Sequence, residues 1–240
     1  MKFEPPLVPA TLIRRYKRFL FDAELQTGEV ITGFCPNTGS MRGLTAPGSL
    51  CYLTEHSGGT RKYRYALELV EADDTLVGIN TARPNRLVEE AIDEGLIGSL
   101  TGYAERKAEQ KYGINSRIDI LMRDPAKGLA YVEVKNVHFR RNGRLAEFPD
   151  SVTTRGAKHL EELGDMVEAG HRAIMVYLIQ RDDVDSLSLC RDLDPAYSSA
   201  FDRAMKRGVE ACAIRCKITS ELIHADTMVP VEEQGLNSVS

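Results

Sequence analysis

The first eighty residues show short runs of alternating apolar and polar side chains and no helical periodicity. Such runs are typical of β-strands, and clusters of Gly, Pro, Asn and Asp separate them here. The pattern predicts six strands, at 10–13, 18–25, 29–35, 49–54, 63–70 and 75–78. Five or six short strands in about 75 residues fit a small barrel or sandwich, and in particular a five-stranded OB-fold-like β-barrel over residues 1–80.

After Thr81 the apolar positions recur at helical spacing and helices begin to alternate with strands. Helices are predicted at 85–97, 103–111, 153–169 and 196–207. Strands are predicted at 116–122, 129–137, 173–180, 211–218 and 221–228. This order predicts an α/β domain with a mixed sheet over 81–231, so the chain is of the α+β two-domain class. The polar residues 232–240 are expected to form a disordered tail.

The apolar runs and the cysteine content of the chain indicate where the protein works and whether it contains disulfides or zinc. The N-terminus has no apolar signal-peptide core, and no apolar run approaches the ~20 residues of a membrane helix, so we expect a cytoplasmic protein without a membrane partner. The five cysteines are odd in number and lack CxxC spacing, which predicts buried free thiols and neither disulfides nor a zinc site.

The charge is distributed unevenly along the chain. The formal net charge of the whole chain is −4, yet residues 1–64 contain nine Lys/Arg and only five Asp/Glu. The remainder of the chain is correspondingly acidic. A basic first quarter on an acidic body suggests an anionic partner on one face.

Two predicted strands place acidic side chains on one face. Asp119 shares its face with Arg117, and Glu133 shares its face with Tyr131 and Lys135. If the strands form an antiparallel hairpin, Asp119 and Glu133 lie opposite each other, because their midpoint falls in the turn at 123–128. Two carboxylates and an ammonium group would then lie together on the sheet.

Two carboxylates of this kind suit Mg²⁺, which prefers oxygen ligands and keeps several waters. The ion can activate a bound water and stabilise charge on a phosphate, and Lys135 could orient that water or neutralise the developing charge. The alternative is a solvated cross-strand ion pair, which alternating strands often show.

Several segments resemble the sugar fermentation stimulation protein A (SfsA) family. They are NRLVEE (85–90), YG (112–113) with SRID (116–119), YVEVKNV (131–137), FPDSVTTRGAKHL (148–160) and CPNTGSM (35–41). The resemblance spans roughly residues 3–230. It implies an N-terminal OB-fold-like barrel, a C-terminal PD-(D/E)XK nuclease-like domain, DNA binding and an association with sugar (maltose) metabolism.

The resemblance also assigns roles by position. It implies that the nuclease motif falls on Asp119, Glu133 and Lys135, with Asp119 and Glu133 as ligands of Mg²⁺ or Mn²⁺. An additional catalytic acid is expected on the preceding helix, where either Glu89 or Glu90 could supply it, and we choose Glu90. Ile118 stands where the motif name has proline.

The predicted DNA contacts lie in both halves of the chain. Basic and aromatic residues mix around Tyr16 and Phe19, a pattern that suits phosphates and stacked bases, although a solvated edge strand is the alternative. The candidate DNA-binding residues are Arg14, Arg15, Lys17, Arg18, Arg61, Arg64, Arg155, Lys158 and His159. The turn at 35–41 could bind a phosphate through its N–H groups or be purely structural.

The sequence therefore predicts a DNA-binding protein that is a possible Mg²⁺-dependent endo- or exodeoxyribonuclease. The alternative is a non-catalytic DNA-binding regulator of sugar metabolism that retains the nuclease fold. The form of DNA and the oligomeric state are left open by the sequence.

Overall fold

Six strands near the N-terminus form one sheet that closes into a barrel in this computed structural model, which describes residues 1–58 and 62–236. The strands are β1 (Val8–Tyr16), β2 (Leu20–Leu25), β3 (Val30–Phe34), β4 (Leu50–Glu55), β5 (Tyr65–Ala72) and β6 (Thr75–Gly78). Their order is β3-β2-β1-β4-β5-β6, and a parallel contact between Phe34 and Ala66 joins β3 to β5 and closes the barrel. The predicted OB-fold-like barrel is confirmed.

The interior of the barrel explains one sequence requirement. Leu12, Phe21 and Leu53 are buried inside it, as the alternating pattern demands. Gly33 faces the same space: a Cβ atom there would lie 2.3 Å from the ring of Phe21. The close approach of ring and backbone therefore needs glycine at this position.

A second six-stranded sheet, of order β15-β14-β12-β9-β8-β7, organises the rest of the chain. Its strands are β7 (Glu105–Tyr112), β8 (Ser116–Asp124), β9 (Gly128–Val137), β12 (Arg172–Ile179), β14 (Glu210–Ile218) and β15 (Ile223–Val229). A small sheet contains β10 (Phe139–Arg140), β11 (Leu145–Phe148) and β13 (Ser186–Leu189). The pairs β9–β12 and β12–β14 are parallel and the outer pairs antiparallel, so the predicted mixed sheet is confirmed.

Helices cover both faces of this sheet. They are α1 (Pro84–Asp93), α2 (Thr154–Glu168) and α3 (Pro195–Lys206), with a short 3₁₀ turn at Gly98–Leu100. On the central strand β12, Ile174 and Val176 belong to the core beneath α1, whereas Met175 and Tyr177 belong to the core beneath α2 and α3. A strand buried on both faces reads as a continuous apolar run, which is what 173–179 shows.

One predicted element has the wrong type. The helix expected at 103–111 is the strand β7, which pairs antiparallel with β8 at the edge of the sheet. Seven of its eight residues are not buried, since an edge strand facing solvent on both sides carries polar residues throughout. Strand pairing therefore overrides the helical propensity of its Glu, Lys, Ala and Gln residues.

The first and the last described residues of the chain both pack against the second domain. Phe3 is buried in the core beneath α1, and Lys2 pairs with Leu222, so the first residues pack on the second domain. At the other end, the carboxylate of Glu233 binds Arg191 and the Leu189 N–H. The expected disordered tail is thus incorrect for 232–236, because ion pairing holds this part in place; residues 237–240 lie outside the described part.

Two expectations from composition can be compared with the structure. All five cysteines are free and buried, which confirms the prediction of buried free thiols. Among the described residues, no helix is both long enough and apolar enough to span a membrane.

Candidate functional site

The two predicted carboxylates meet where β8 and β9 separate. The strands pair with Ile120 opposite Val132 and Leu121 opposite Tyr131, the register that places Asp119 opposite Glu133. Beyond that pair, the Val134 N–H donates to Asp119 Oδ2 at 2.7 Å. A carboxylate side chain thus takes a hydrogen bond that the backbone of β8 would otherwise accept.

Asp119 is also held from α1. Asn85, in the first turn of that helix, donates from Nδ2 to Asp119 Oδ1 at 3.0 Å. Burial and the nearby charge of Glu133 raise the pKa of Asp119 above its ordinary value, against the effect of these hydrogen bonds. Proximity to Glu133 therefore destabilises the ionised form of Asp119, a cost that a bound cation would relieve.

Glu133 is 2% exposed and its two oxygens differ sharply. Oε1 accepts a hydrogen bond from Lys135 Nζ at 2.6 Å and contacts His159 Nδ1. Oε2 is buried and has no hydrogen-bond partner in the described part of the chain. Burial opposes ionisation, but the His159 hydrogen bond and the charge of Lys135 together lower the pKa of Glu133. Ionisation of Glu133 is thus favoured, while one of its oxygens has no hydrogen-bond partner in the described chain.

His159 orients this carboxylate through a chain of directed hydrogen bonds. Arg155 Nε donates to His159 Nε2 at 3.2 Å, and since an arginine nitrogen is only a donor, Nε2 must accept. The ring proton of neutral His159 is then on Nδ1 and points to Glu133 Oε1. His159 is only 4% exposed, so its predicted DNA contact is corrected: the imidazole is buried against Glu133.

The donors at this site fit a divalent cation of the Mg²⁺ type. Asp119 and Glu133 would provide oxygen ligands, and Glu133 Oε2, which has no partner in the part of the chain that the structure describes, has the coordination capacity that a metal would use. The described residues contain no group of three or more His, Cys, Asp or Glu side chains that could hold a metal. Waters or backbone oxygens would therefore complete the shell, as is usual for Mg²⁺.

The helix acid expected beside Asp119 has two candidates on α1. Glu90 pairs with the N-terminal ammonium at 3.1 Å and with Arg86 at 3.1 Å. Glu89 lies on the helix face of Asn85, which contacts Asp119, and its carboxylate is 4.0 Å from Arg106 Nε. The choice of Glu90 stays a prediction, and its contacts are with the N-terminus and Arg86.

Two of the arginines predicted to bind DNA from the barrel form contacts within the barrel. Arg14 binds Asp22 at 2.7 Å and lies over the Tyr16 ring, and Arg64 pairs with Glu55. Both arginines thus contact side chains of the barrel itself. Lys17, in the turn after β1, is exposed to solvent. Arg61 lies outside the described residues.

Arg15 and Arg18 instead brace the turn at 35–41. Arg15 donates to the carbonyl oxygens of Asn37 and Gly39 at 2.8 and 2.9 Å, and Arg18 donates to Thr38 O at 2.8 Å. The Gly39 N–H is bound by the side chain of Asn37. These bonds favour the structural reading of the turn over a phosphate-binding one.

The same turn docks onto the second domain at Asp150. Ser40 Oγ donates to Asp150 Oδ2 at 2.5 Å, and the Met41 N–H donates to the same oxygen at 3.1 Å. His138 Nε2 lies 3.5 Å from that oxygen. Burial opposes ionisation, but His138 and Ser40 together hold the pKa of Asp150 well below its ordinary value. We call Ser40, Met41, His138 and Asp150 the Asp150 clamp.

The two remaining predicted DNA contacts lie on α2. Arg155 is exposed at its first turn, while Lys158 donates to Ile114 O at 2.6 Å and lies 3.4 Å from Glu162. Sequence reasoning missed Asn85, Glu162 and the positioning role of His159. Asn85 carries a signal of its own, since it is a polar residue at the start of a helix that precedes the Asp119 strand.

Fold and site together define a class: an OB-type barrel joined to an α/β domain whose mixed sheet holds paired carboxylates at a strand separation. Two family profiles match the chain, "SfsA N-terminal OB domain" at residues 13–79 and "Sugar fermentation stimulation protein RE domain" at residues 82–222. The chain therefore belongs to the sugar fermentation stimulation protein (SfsA) family.

Individual relatives agree over nearly the whole length. A sugar fermentation stimulation protein homolog of Sinorhizobium medicae is 64% identical over 97% of this chain and 98% of its own. The homolog of Rhizobium rhizogenes is 59% identical over 100% and 96%. The solved structure of Pyrococcus furiosus SfsA in complex with Ca²⁺ is 28% identical, with a TM-score of 0.87 over 97% of this chain and 98% of that one.

Proposed function

We propose that this protein binds DNA and hydrolyses its phosphodiester bonds with a divalent cation held by Asp119 and Glu133. The observation that carries the proposal is the buried Oε2 of Glu133, which has no partner among residues 1–58 and 62–236 and lies near a carboxylate whose pKa is raised, that of Asp119. A buried carboxylate oxygen without a partner is costly, and a bound cation is the simplest group that would relieve the cost at this place.

Mg²⁺ or Mn²⁺ bound there would supply an activated water and stabilise charge on the phosphate. The protein's own residues prepare that site. Asn85 and the Val134 N–H hold Asp119, and His159 holds Glu133 so that Oε2 is left for the ion. These outer contacts determine which carboxylate oxygens can face the cation.

Lys135 has a separate part in the proposal. Its ammonium lies 2.6 Å from Glu133 Oε1 and is largely shielded from solvent. A fixed positive charge in a low-dielectric site stabilises negative charge that develops on a phosphate, at no cost of reorientation. We assign this role to Lys135, with Arg155 as an exposed cation for a neighbouring phosphate.

The related Pyrococcus furiosus protein was solved with Ca²⁺, which supports divalent-metal use by the shared fold. Ca²⁺ and Mg²⁺ both take oxygen ligands but differ in size and geometry. The preference for Mg²⁺ or Mn²⁺ in this chain is therefore part of the proposal.

The test uses the purified 240-residue chain with labelled single-stranded, duplex and branched DNA, each with Mg²⁺, Mn²⁺ or chelator. We expect metal-dependent cleavage of at least one form, lost in Asp119→Ala and Lys135→Ala. Glu90→Gln is the matched control, because Glu90 pairs with the N-terminus and Arg86 instead. Cleavage that persists in Asp119→Ala would refute the assignment.

One observation favours a second candidate, a non-catalytic DNA-binding regulator of sugar (maltose) metabolism. The described residues contain no three-acid or histidine group of the kind that holds a metal without help from water. This candidate predicts DNA binding without metal, an affinity that falls linearly with salt on a log–log plot, and no cleavage of any DNA form.

A further inference from the structure

The tip of the β7–β8 hairpin presents an apolar side chain to solvent. Ile114 is 77% exposed, more than any other large apolar side chain in the part of the chain that the structure describes. It lies between Gly113 and Asn115, which both have positive φ, so the turn projects it away from the two strands. A single exposed isoleucine would be unremarkable if its backbone were free.

The backbone of Ile114 is instead fixed on both sides. Its N–H donates to Glu162 Oε1 at 3.0 Å, and its carbonyl accepts from Lys158 Nζ at 2.6 Å. Glu162 is buried, and its Oε2 has no partner among the described residues. Burying a carboxylate in this way is unfavourable, and here it serves to hold the backbone of an exposed residue.

Two cations flank Ile114 on the same hairpin. Lys111 lies directly opposite Arg117 across β7 and β8, and both side chains are exposed. Neither forms an ion pair with a residue of the described ranges 1–58 and 62–236. Like charges directly opposite each other are unfavourable in a sheet, so the arrangement favours an anion bridging both side chains.

The tip is tied to the candidate site. Lys158, which holds Ile114, is followed on α2 by His159, which holds Glu133. Arg117 precedes Asp119 by two residues on β8, a spacing of roughly 7 Å along a strand. Apolar side chains next to phosphate-binding cations are a recurrent means of contacting duplex DNA through the minor groove.

We propose that the hairpin tip, residues 111–117, docks on duplex DNA beside the cleavage site, with Lys111 and Arg117 on phosphates and Ile114 inserted against the bases. The inference rests on the proposed DNA-binding function. Insertion of Ile114 locally unstacks base pairs and bends the duplex, which favours flexible or distorted duplex over single strands.

The experiment measures binding of the full chain to a duplex that carries 2-aminopurine, in chelator, over a series of salt concentrations. Fluorescence anisotropy reports affinity and 2-aminopurine emission reports unstacking. For Ile114→Ser we expect about tenfold weaker binding and loss of the emission increase with an unchanged salt slope. For Lys111→Gln and Arg117→Gln we expect the slope to fall by about one each.

Control variants separate insertion from general apolar contact and from misfolding. Val30→Ser removes another exposed apolar side chain, 62% exposed on β3 of the barrel, and is expected to behave as wild type. Ile114→Met keeps an apolar group and should retain the emission increase. If Ile114→Ser binds and unstacks as wild type does, the hairpin proposal is overturned while DNA binding stands; if wild type binds no DNA, the proposed function itself has failed.

Discussion

Two partly buried acidic centres of the second domain differ in how their carboxylate oxygens are used. At the Asp150 clamp, Ser40, Met41 and His138 all face one carboxylate oxygen, and the pKa of Asp150 is lowered. At the strand separation, the pKa of Asp119 is raised and Glu133 Oε2 has no partner in the described chain. The carboxylate of Asp150 is thus engaged by groups of the protein, whereas Glu133 Oε2 can still accept a ligand.

The difference separates a structural role from a functional one. A half-buried carboxylate whose donors come from another part of the chain, such as Asp150, stabilises the contact between those parts, here between the barrel turn and the second domain. A buried carboxylate with an unused oxygen and an unfavourable neighbour destabilises the free protein and favours a ligand. Removing Asp150 should therefore lower stability more than activity, and removing Asp119 or Glu133 should lower activity more than stability.

The largest expected effect is on cleavage. In Asp119→Asn and Glu133→Gln, we expect the rate of metal-dependent DNA cleavage to fall by more than about a hundredfold, because loss of a metal ligand exceeds the effect of changing its supports. Single-turnover kinetics at saturating Mn²⁺ measures the rate. Asp150→Asn should retain cleavage at temperatures where it is folded, and an equal loss there would remove the contrast between the two centres.

The next effect is on stability, where the loss of Asp150 should matter more than the loss of Asp119. Asp150→Ala removes the acceptor of the two barrel donors and the charge beside His138, and we expect it to lower the free energy of unfolding by about 3 kcal/mol. Asp119→Asn relieves repulsion from Glu133 and should change the free energy by less than about 1 kcal/mol. Urea unfolding measures both, and a large loss of stability in Asp119→Asn would contradict the distinction.

A smaller effect concerns the support of Glu133. His159→Ala should weaken Mn²⁺ binding by about 10- to 100-fold, since the carboxylate is then free to rotate. Asparagine offers an amide donor close to the position of Nδ1, so His159→Asn should recover part of the affinity. Calorimetric titration measures the dissociation constants; equal affinities for wild type and His159→Ala would rule out positioning by the imidazole.

The smallest effect is a pH dependence. Because the folded-state pKa of Asp150 lies below its ordinary value of 3.8, the clamp contributes its full stability above about pH 5 and loses it as pH falls through and below 3.8. Asp150→Asn lacks this titration. The stability difference between wild type and Asp150→Asn should therefore shrink, by on the order of 1 kcal/mol per unit, as pH is lowered below about 4. A difference that is constant with pH would contradict the clamp.

Much of the fold could be predicted because its signals are local. Alternation along 116–122 and 129–137, together with the turn at 123–128, predicted a hairpin register that the structure confirms. The prediction of a helix at 103–111 is wrong because an edge strand exposed on both faces has no apolar face, and the residues of this segment favour helices.

The candidate site was only partly accessible to sequence reasoning. Shared strand faces were enough to bring Asp119, Glu133 and Lys135 together. The supports depend on pairs far apart in the chain, since Ser40 meets Asp150 across 110 residues and Asn85 meets Asp119 across 34. No local pattern in the sequence reports such a contact, so sequence reasoning alone does not decide between Glu89 and Glu90.

The central claim, that Asp119 and Glu133 form a divalent-cation site, is tested most directly by calorimetric titration of Mn²⁺ into the full chain without DNA. We expect saturable binding to wild type and to Glu90→Gln, and its loss in Glu133→Gln, whose amide removes the charge and alters the donor atoms beside Asp119. Binding of the same affinity and stoichiometry in Glu133→Gln, or no binding to wild type, would contradict the claim.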